Sequence, residues 1–358
     1  MAINNHQAVN EFNQQVKPVS LWADAWKRLR RNHMALIGLW LVVIYAIIGF
    51  AAPILPLYDY TEQDVHLANL PPSFKPAGQV ALDQLVKRMS EVEALIKDGR
   101  DDLAPELDNV KAEYAKVKAS LADDPMNNRV FIFGTDYLGR DVLARTVYGG
   151  RISMLIGLVG TIVAVLIGVL VGSVAGYAGG WLDNLLMRIV DIIYGLPYML
   201  IVIILMAMFH KEGQGSIIIL FAAIAMVSWL TEARIVRGQI ISLKNAEFVE
   251  AAKSMGASSG RIIFRHLLPN TLGVIVIFAT LSIPSFIMNE SFLSFLGLGV
   301  SAPDASWGTL ISDGVQGMEL YPWRLLVPAI TMTIFLFAMN FLGDGLRDAL
   351  DPQSKNRT

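Results

Sequence analysis

The chain has 358 residues, 54% of them hydrophobic and only 17% charged, with a formal net charge of −2. That balance excludes an ordinary soluble domain and points to an all-α polytopic membrane protein. The near-neutral charge offers no basic field for nucleic acid, and the absence of cysteine excludes disulfides, thiolate metal sites and cysteine nucleophiles.

Residues 1–33 read as a polar cytoplasmic segment. Within it, 21–31 (LWADAWKRLRR) places Leu21, Ala25, Trp26 and Leu29 on one helical face and Lys27, Arg28, Arg30 and Arg31 on the other. This suits a helix lying on an anionic membrane surface, or a solvated basic flank. Either way the cations put the N-terminus inside. A first span over 34–55 can cross a bilayer about 30 Å thick and is too long for a signal-peptide core. Residues 56–151 then lie outside.

The outer segment carries two apolar stripes on a charged background. Leu82, Leu85, Val86, Met89, Val92, Leu95 and Ile96 form the first, residues 98–100 (DGR) interrupt it, and Leu107, Val110, Tyr114, Val117 and Leu121 form the second. Spacings of three and four predict an antiparallel helical hairpin at about 79–124. It serves as a spacer or as a contact surface for an outer partner. The following stretch, 133–154 (FGTDYLGRDVLARTVYGGRISM), mixes turn formers with Asp and Arg able to pair, as in an ordered interfacial loop.

Residues 152–346 form the core. A second span over 152–178 carries Gly168, Gly172 and Gly176, a ladder for close helix packing within the bundle or against a second chain. A third, 185–209, is interrupted by Gly195 and Pro197, and Arg188 can pair with Asp191 near its start. His210, in a short outer loop, has only Glu212 nearby and reads as solvated, so no metal site is expected. The fourth span, 216–233, leads to Arg234, Arg237, Lys244, Lys253, Arg261 and Arg265, on the same side as the N-terminal cations. Crossing count and positive-inside bias therefore agree.

The fifth span, 272–289, contains Thr280, Ser282 and Pro284 and ends in Asn289-Glu290-Ser291. Polar groups there are tolerated where they face protein or a water-filled path, so Ser282, Asn289 and Glu290 are candidates for a translocation path. The reading favoured for Glu290 is an interfacial carboxylate with a local partner. After an outer piece broken by Gly and Pro, which is packed or re-entrant, the last span covers 325–342 and the tail 347–358 is cytoplasmic.

Between the fourth and fifth spans, within a loop at about 234–270, lies 245–271 (NAEFVEAAKSMGASSGRIIFRHLLPNT). Glu247, Glu250, Lys253, Arg261 and Arg265 bar it from hydrocarbon. Gly256 can take a positive φ and turn the chain, and Pro269 suits the first turn of the next helix. The segment predicts a short helix, a turn and a second helix on one membrane face, a shape that fits a groove in a partner. No G-x-x-x-x-G-K-[ST] phosphate loop occurs, so any ATP hydrolysis by that route belongs to another polypeptide.

Glu250-Ala251-Ala252, then Gly256, then Leu268-Pro269 resembles the EAA loop of binding-protein-dependent ABC importer permeases, with His266 where the motif usually has Ile. Residues 134–136, 138–141 and 150–153 resemble the segment preceding the core spans in dipeptide and oligopeptide permeases. Residues 228–239, 290–300, 306–314 and 340–352 look like the C-type permease subunit of oligopeptide ABC importers. The resemblance implies a type I ABC importer permease fold of about six transmembrane helices in the bacterial inner membrane, with both termini cytoplasmic. In it Glu250, Ala251, Ala252, Gly256, Leu268 and Pro269 form the ATPase-coupling loop. It further implies a second homologous permease subunit (B-type), two ATPase subunits that bind ATP-Mg, and an extracytoplasmic peptide-binding protein. This chain itself then carries no cofactor and no catalytic site, and oligopeptides cross by alternating access.

The 79–124 hairpin departs from the common pattern, so dipeptides, nickel or another substrate remain alternatives within the class. An ion-coupled secondary transporter would place carboxylates near the midplane of broken helices, whereas the acids here collect at span ends and loops, with no inverted repeat. A non-transporting scaffold would explain the hairpin but not the proline- and polar-containing spans.

Overall fold

The computed structural model describes residues 21–121, 124–209 and 216–350. Residues 1–20, the hairpin end at 122–123, the 210–215 loop with His210, and the tail from 351 lie outside the described residues. In chain order the helices are α1 (Leu21–Leu29), α2 (His33–Ala51), α3 (Ala77–Lys97), α4 (Ala104–Ser120), α5 (Val142–Ala178), α6 (Gly180–Tyr194), α7 (Tyr198–Phe209), α8 (Ser216–Leu243), α9 (Glu247–Ser254), α10 (Ser259–Ile262), α11 (Leu268–Phe295), α12 (Trp307–Val315) and α13 (Trp323–Leu350). Among the described residues the β structure amounts to an isolated bridge between Thr135 and Asp141.

Four single stretches among the described residues are long and apolar enough to cross a membrane: His33–Ile54, Val142–Ala178, Ser259–Phe295 and Trp323–Leu350. A fifth, Gly180–Tyr194 with Tyr198–Met208, qualifies as a pair bent by 80°. The 28-residue α8 carries the remaining apolar run read from the sequence. The break falls at 195–197, where Gly195 and Pro197 are expected to interrupt the span over 185–209. Pro197 lacks an N–H to continue the helix and pushes Leu196 away from helical geometry, so the chain turns there.

The glycine ladder of α5 packs on α8 of the same chain. A Cβ at Gly172 would meet Arg237 N and Val236 Cβ, both at 3.0 Å, and one at Gly176 would meet Arg237 O at 2.9 Å. The choice left open by the sequence therefore falls to the chain's own bundle. Two ion pairs fasten α6 to α8. Arg237 holds Asp183, and Arg234 Nη2 donates to Asp191 Oδ1 at 2.6 Å with its guanidinium 4.2 Å from the Tyr194 ring centroid. The expected Arg188–Asp191 pair does not form; Arg188 is exposed, and α8 supplies the cation instead.

The amphipathic α1 does not present its apolar face to lipid alone. Ala25 and Leu29 are buried against Ala35, Leu346, Ala349 and Leu350, so α1 is packed on the end of α13. Asn32 caps α2 by accepting from Ala35 N at 3.2 Å.

On the other side of the bundle, α3 and α4 form the hairpin, with Val92, Val110 and Val117 buried while Val86 and Leu95 stay exposed. Its base shares a core with Leu67, Leu70 and Phe131. The 133–154 stretch is an ordered corner. Buried Asp136 takes Arg140 Nε at 2.7 Å and pairs with Arg145 as well, while Asp141 caps α5. Trp307, fully buried at the start of α12, donates through Nε1 to Thr146 O at 3.0 Å. The piece after α11 is thus a packed helix rather than a further span.

Candidate functional site

The 245–271 segment folds as two short helices ahead of α11. Helix α9 ends in a Schellman closure: Ala257 N donates to Ala252 O at 3.0 Å and Gly256 N to Lys253 O at 2.9 Å, with Gly256 at φ +78°. The left-handed conformation explains the glycine, and Ala257 joins Ala252 in the hydrophobic contact that accompanies such caps. A single π-helical turn, Ile263–Leu267, joins α10 to α11, with Pro269 in the first turn of α11. The second short helix and the fifth span are therefore continuous, 37 residues from Ser259 to Phe295.

This helix pair has a buried and an open face. Val249, Ala252, Ile262 and Leu267 are buried against Val236 and Ile240 of α8 and Ile275 of α11. Glu250, Ala251, Gly256 and Pro269 are exposed and Leu268 is half-buried. Met255 and Phe264, 81% and 63% exposed, stand out on the open face among Glu247, Glu250, Arg261 and Arg265. A Cβ at Gly256 would meet nothing within 4 Å. Two lysines tie the region down: Lys244 Nζ donates to Gly176 O at 3.2 Å, and Lys253 Nζ to Lys244 O at 3.4 Å.

A partly open cavity of about 460 Å³ lies between the α6–α7 bend, α8 and α11. Tyr198, Ser228, Glu232, Ser282 and Asn289 contribute its polar wall, with Ile193, Leu196, Val227 and Phe286 between them. Asn289 Nδ2 donates to Tyr198 Oη at 3.4 Å, and Ser282 Oγ donates to Glu232 Oε1 at 3.0 Å. Of the three path candidates, Ser282 and Asn289 face this cavity.

Glu290 does not. It is fully buried, and its Oε1 accepts from Ser294 Oγ at 2.7 Å and Ser306 Oγ at 2.6 Å. Helix α11 runs on to Phe295, so Glu290 lies inside a helix, and it fastens that helix to the capping box of α12. Its local partners match the second of its two sequence readings. Glu232 and Tyr198 were not singled out in the sequence. The signal for Glu232 was there: it is the acid within the otherwise apolar 216–233.

Two family models match the sequence. One, described as binding-protein-dependent transport system inner membrane component, covers residues 168–356. The other, described as N-terminal TM domain of oligopeptide transport permease C, covers 20–72. The chain is 41% identical over 353 residues to the oligopeptide transport system permease protein OppC of Escherichia coli (strain K12), covering 98% of each. It is 40% identical over 337 residues to OppC of Bacillus subtilis (strain 168), covering 94% of this chain and 91% of that one. To the dipeptide transport system permease protein DppC of the same Bacillus it is 38% identical over 336 residues, covering 94% and 87%. Among solved structures it is similar to a chain of the MetNI methionine ABC transporter in inward facing conformations, at 18% identity and a TM-score of 0.43, covering 59% of this chain and 96% of that one. Membership of such a family makes this chain a transport component rather than an enzyme. The chain belongs to the inner membrane components of binding-protein-dependent transport systems, the multi-pass permease subunits of ABC importers.

Proposed function

We propose that this permease carries oligopeptides inward and forms half of the path, the other half coming from a second, homologous permease of B type. Two ATPase subunits bind ATP-Mg and dock on the open face of α9 and α10, and an extracytoplasmic peptide-binding protein delivers the substrate. Both chain ends then lie in the cytoplasm, on the side of the coupling loop, as the cations from Arg234 to Arg265 favour. The identity of 41% along 98% of the Escherichia coli oligopeptide permease supports the substrate class. A dipeptide cargo is the second reading, favoured by the 38% identity to the Bacillus dipeptide permease.

One observation carries the coupling mechanism. The buried face of the α9–α10 pair is packed on Val236 and Ile240 of α8 and on Ile275 of α11, the two helices that also bear Glu232, Ser282 and Asn289 in the cavity. A push on the loop therefore moves both walls of the cavity together. Met255 and Phe264 supply an apolar anchor ringed by charge, the usual anatomy of a docking spot.

The test is uptake of labelled tripeptides to pentapeptides and of dipeptides by the reconstituted complex. ATP-dependent oligopeptide import, lost when the partner ATPase is inactivated, is the expected result. Import of dipeptides alone would favour the second reading, and import insensitive to ATPase loss would contradict both.

A further inference from the structure

The cavity holds an acid with no counter-charge. Glu232 is 4% exposed, lies on the cavity wall, and forms no ion pair among the described residues. The arginines that follow it on α8 are engaged elsewhere, Arg234 with Asp191 and Arg237 with Asp183. Its described hydrogen bond is the one from Ser282, and that bond is shared. The single hydroxyl hydrogen of Ser282 has two acceptors within reach, Glu232 Oε1 at 3.0 Å and Phe278 O at 2.9 Å. A carboxylate offers about four acceptor sites, so most of the capacity of Glu232 is unspent.

A buried carboxylate in this state is costly unless a cation completes it. Its place is fixed from behind, because Gly168 of α5 lets the α8 backbone approach so closely that a Cβ there would meet Ala233 N at 3.0 Å. In front, the wall changes character. Tyr198 and Asn289 offer neutral donors and acceptors, suited to peptide amide groups, and neither brings a charge.

We propose that Glu232 is the ammonium-recognising residue of the cavity, receiving a primary ammonium of the peptide in transit while Tyr198 and Asn289 meet its amides. This rests on the peptide reading above. The ammonium comes from the peptide N-terminus or from a lysine side chain; the chemistry is shared, and the experiment separates the two.

The experiment measures ATP-driven uptake by the complete reconstituted importer at saturating binding protein, which removes delivery from the comparison. Three alanine-based peptides are used: one with a free amino terminus, its N-acetylated form, and an N-acetylated form carrying one lysine. The wild type is expected to prefer the free amine by about tenfold or more, the scale of one charge-assisted hydrogen bond. In Glu232→Gln the ratio collapses towards one, and in Glu232→Asp, which keeps the charge, a preference survives. Recovery of uptake with the lysine peptide assigns the site to any primary ammonium; no recovery restricts it to the α-ammonium.

Equal wild-type rates for the free and acetylated peptides, or a preference undiminished in the Gln variant, overturn the inference. Where the Gln complex fails to assemble, an assembled Asp complex without preference does the same. A wild type that imports no peptide overturns the peptide reading and this inference with it, whereas normal peptide import with no role for the charge overturns the inference alone.

Discussion

Arg237 holds Asp183 at two points, Nε donating to Oδ1 at 2.6 Å and Nη2 to Oδ2 at 2.7 Å. The pair locks the first helix of the bent α6–α7 unit to α8, one helical turn beyond Ala233, where α8 also rests on Gly172. Because Arg237 is partly exposed, the pair contributes modestly to stability. Arg237→Lys cannot reproduce the fork and is expected to cost about 1 kcal/mol. Thermal unfolding of the detergent-solubilised protein reads this, and an unchanged midpoint would show that the fork is dispensable.

The glycines of α5 and α8 are not equivalent. Gly172→Val forces a side chain into Ala233 and Arg237 backbone, an overpacking expected to cost about 1–3 kcal/mol and to reduce the yield of folded protein. Gly238→Ala on the open face of α8 meets nothing within 4 Å and is expected to be neutral or stabilising by up to about 1 kcal/mol. The contrast is read from size-exclusion profiles and unfolding midpoints. Equal damage from both would remove the α5–α8 packing argument.

Glu290 holds structure where Glu232 faces the cavity. Gln at 290 keeps an acceptor for Ser294 and Ser306 and puts an amide where Oε2 has no partner, so folding and transport are expected to persist. Ala takes the acceptor away from Ser294 and Ser306 and leaves a hole, at a cost of about 2 kcal/mol or more. Loss of transport in a well-folded Gln variant would instead return Glu290 to the translocation path.

Asp141, ahead of α5, gives the outer corner a pH dependence. Burial pushes its carboxyl up to about 6, although its hydrogen bonds from Leu143 N and Ala144 N pull the other way. In the unfolded chain it titrates near 3.9, so between about pH 4 and pH 6 the unfolded state loses a proton that the native state keeps. Its contribution is therefore fully present below about pH 4 and is lost as pH rises through about 6. Asp141→Asn, which still caps the helix, is expected to gain on the wild type as pH rises through this window. Parallel stability curves for the two would contradict the assignment.

The helix–turn–helix shape of 245–271 was legible because its logic is local. A cap glycine at 256, charges that forbid hydrocarbon and a proline at 269 each act within one turn of chain. The cavity was legible only in part. Ser282 and Asn289 share a helix face, but whether that face meets open space or another helix is decided by α8 and the α6–α7 bend, which the sequence does not align with them. For the same reason Glu290 and Asn289, adjacent in the chain, point into different surroundings. Helices α8 and α11 run past the apolar stretches that mark their spans, so Glu232 and Glu290, at the ends of those stretches, are both held inside helices and buried. The exclusion of a secondary transporter rests on family membership.

The most direct test is to solubilise the chain gently from its native membrane and identify what co-purifies, for the wild type, Gly256→Ala and Gly256→Arg. Both variants bear the cost of a side chain at positive φ, about 1 kcal/mol, but only arginine also places bulk and charge on the open face. The wild type is expected to bring a second permease and ATPase subunits, Gly256→Ala to keep them, and Gly256→Arg to remain in the membrane while losing the ATPases. A wild-type chain recovered alone, or ATPases retained by Gly256→Arg, would contradict docking at this loop.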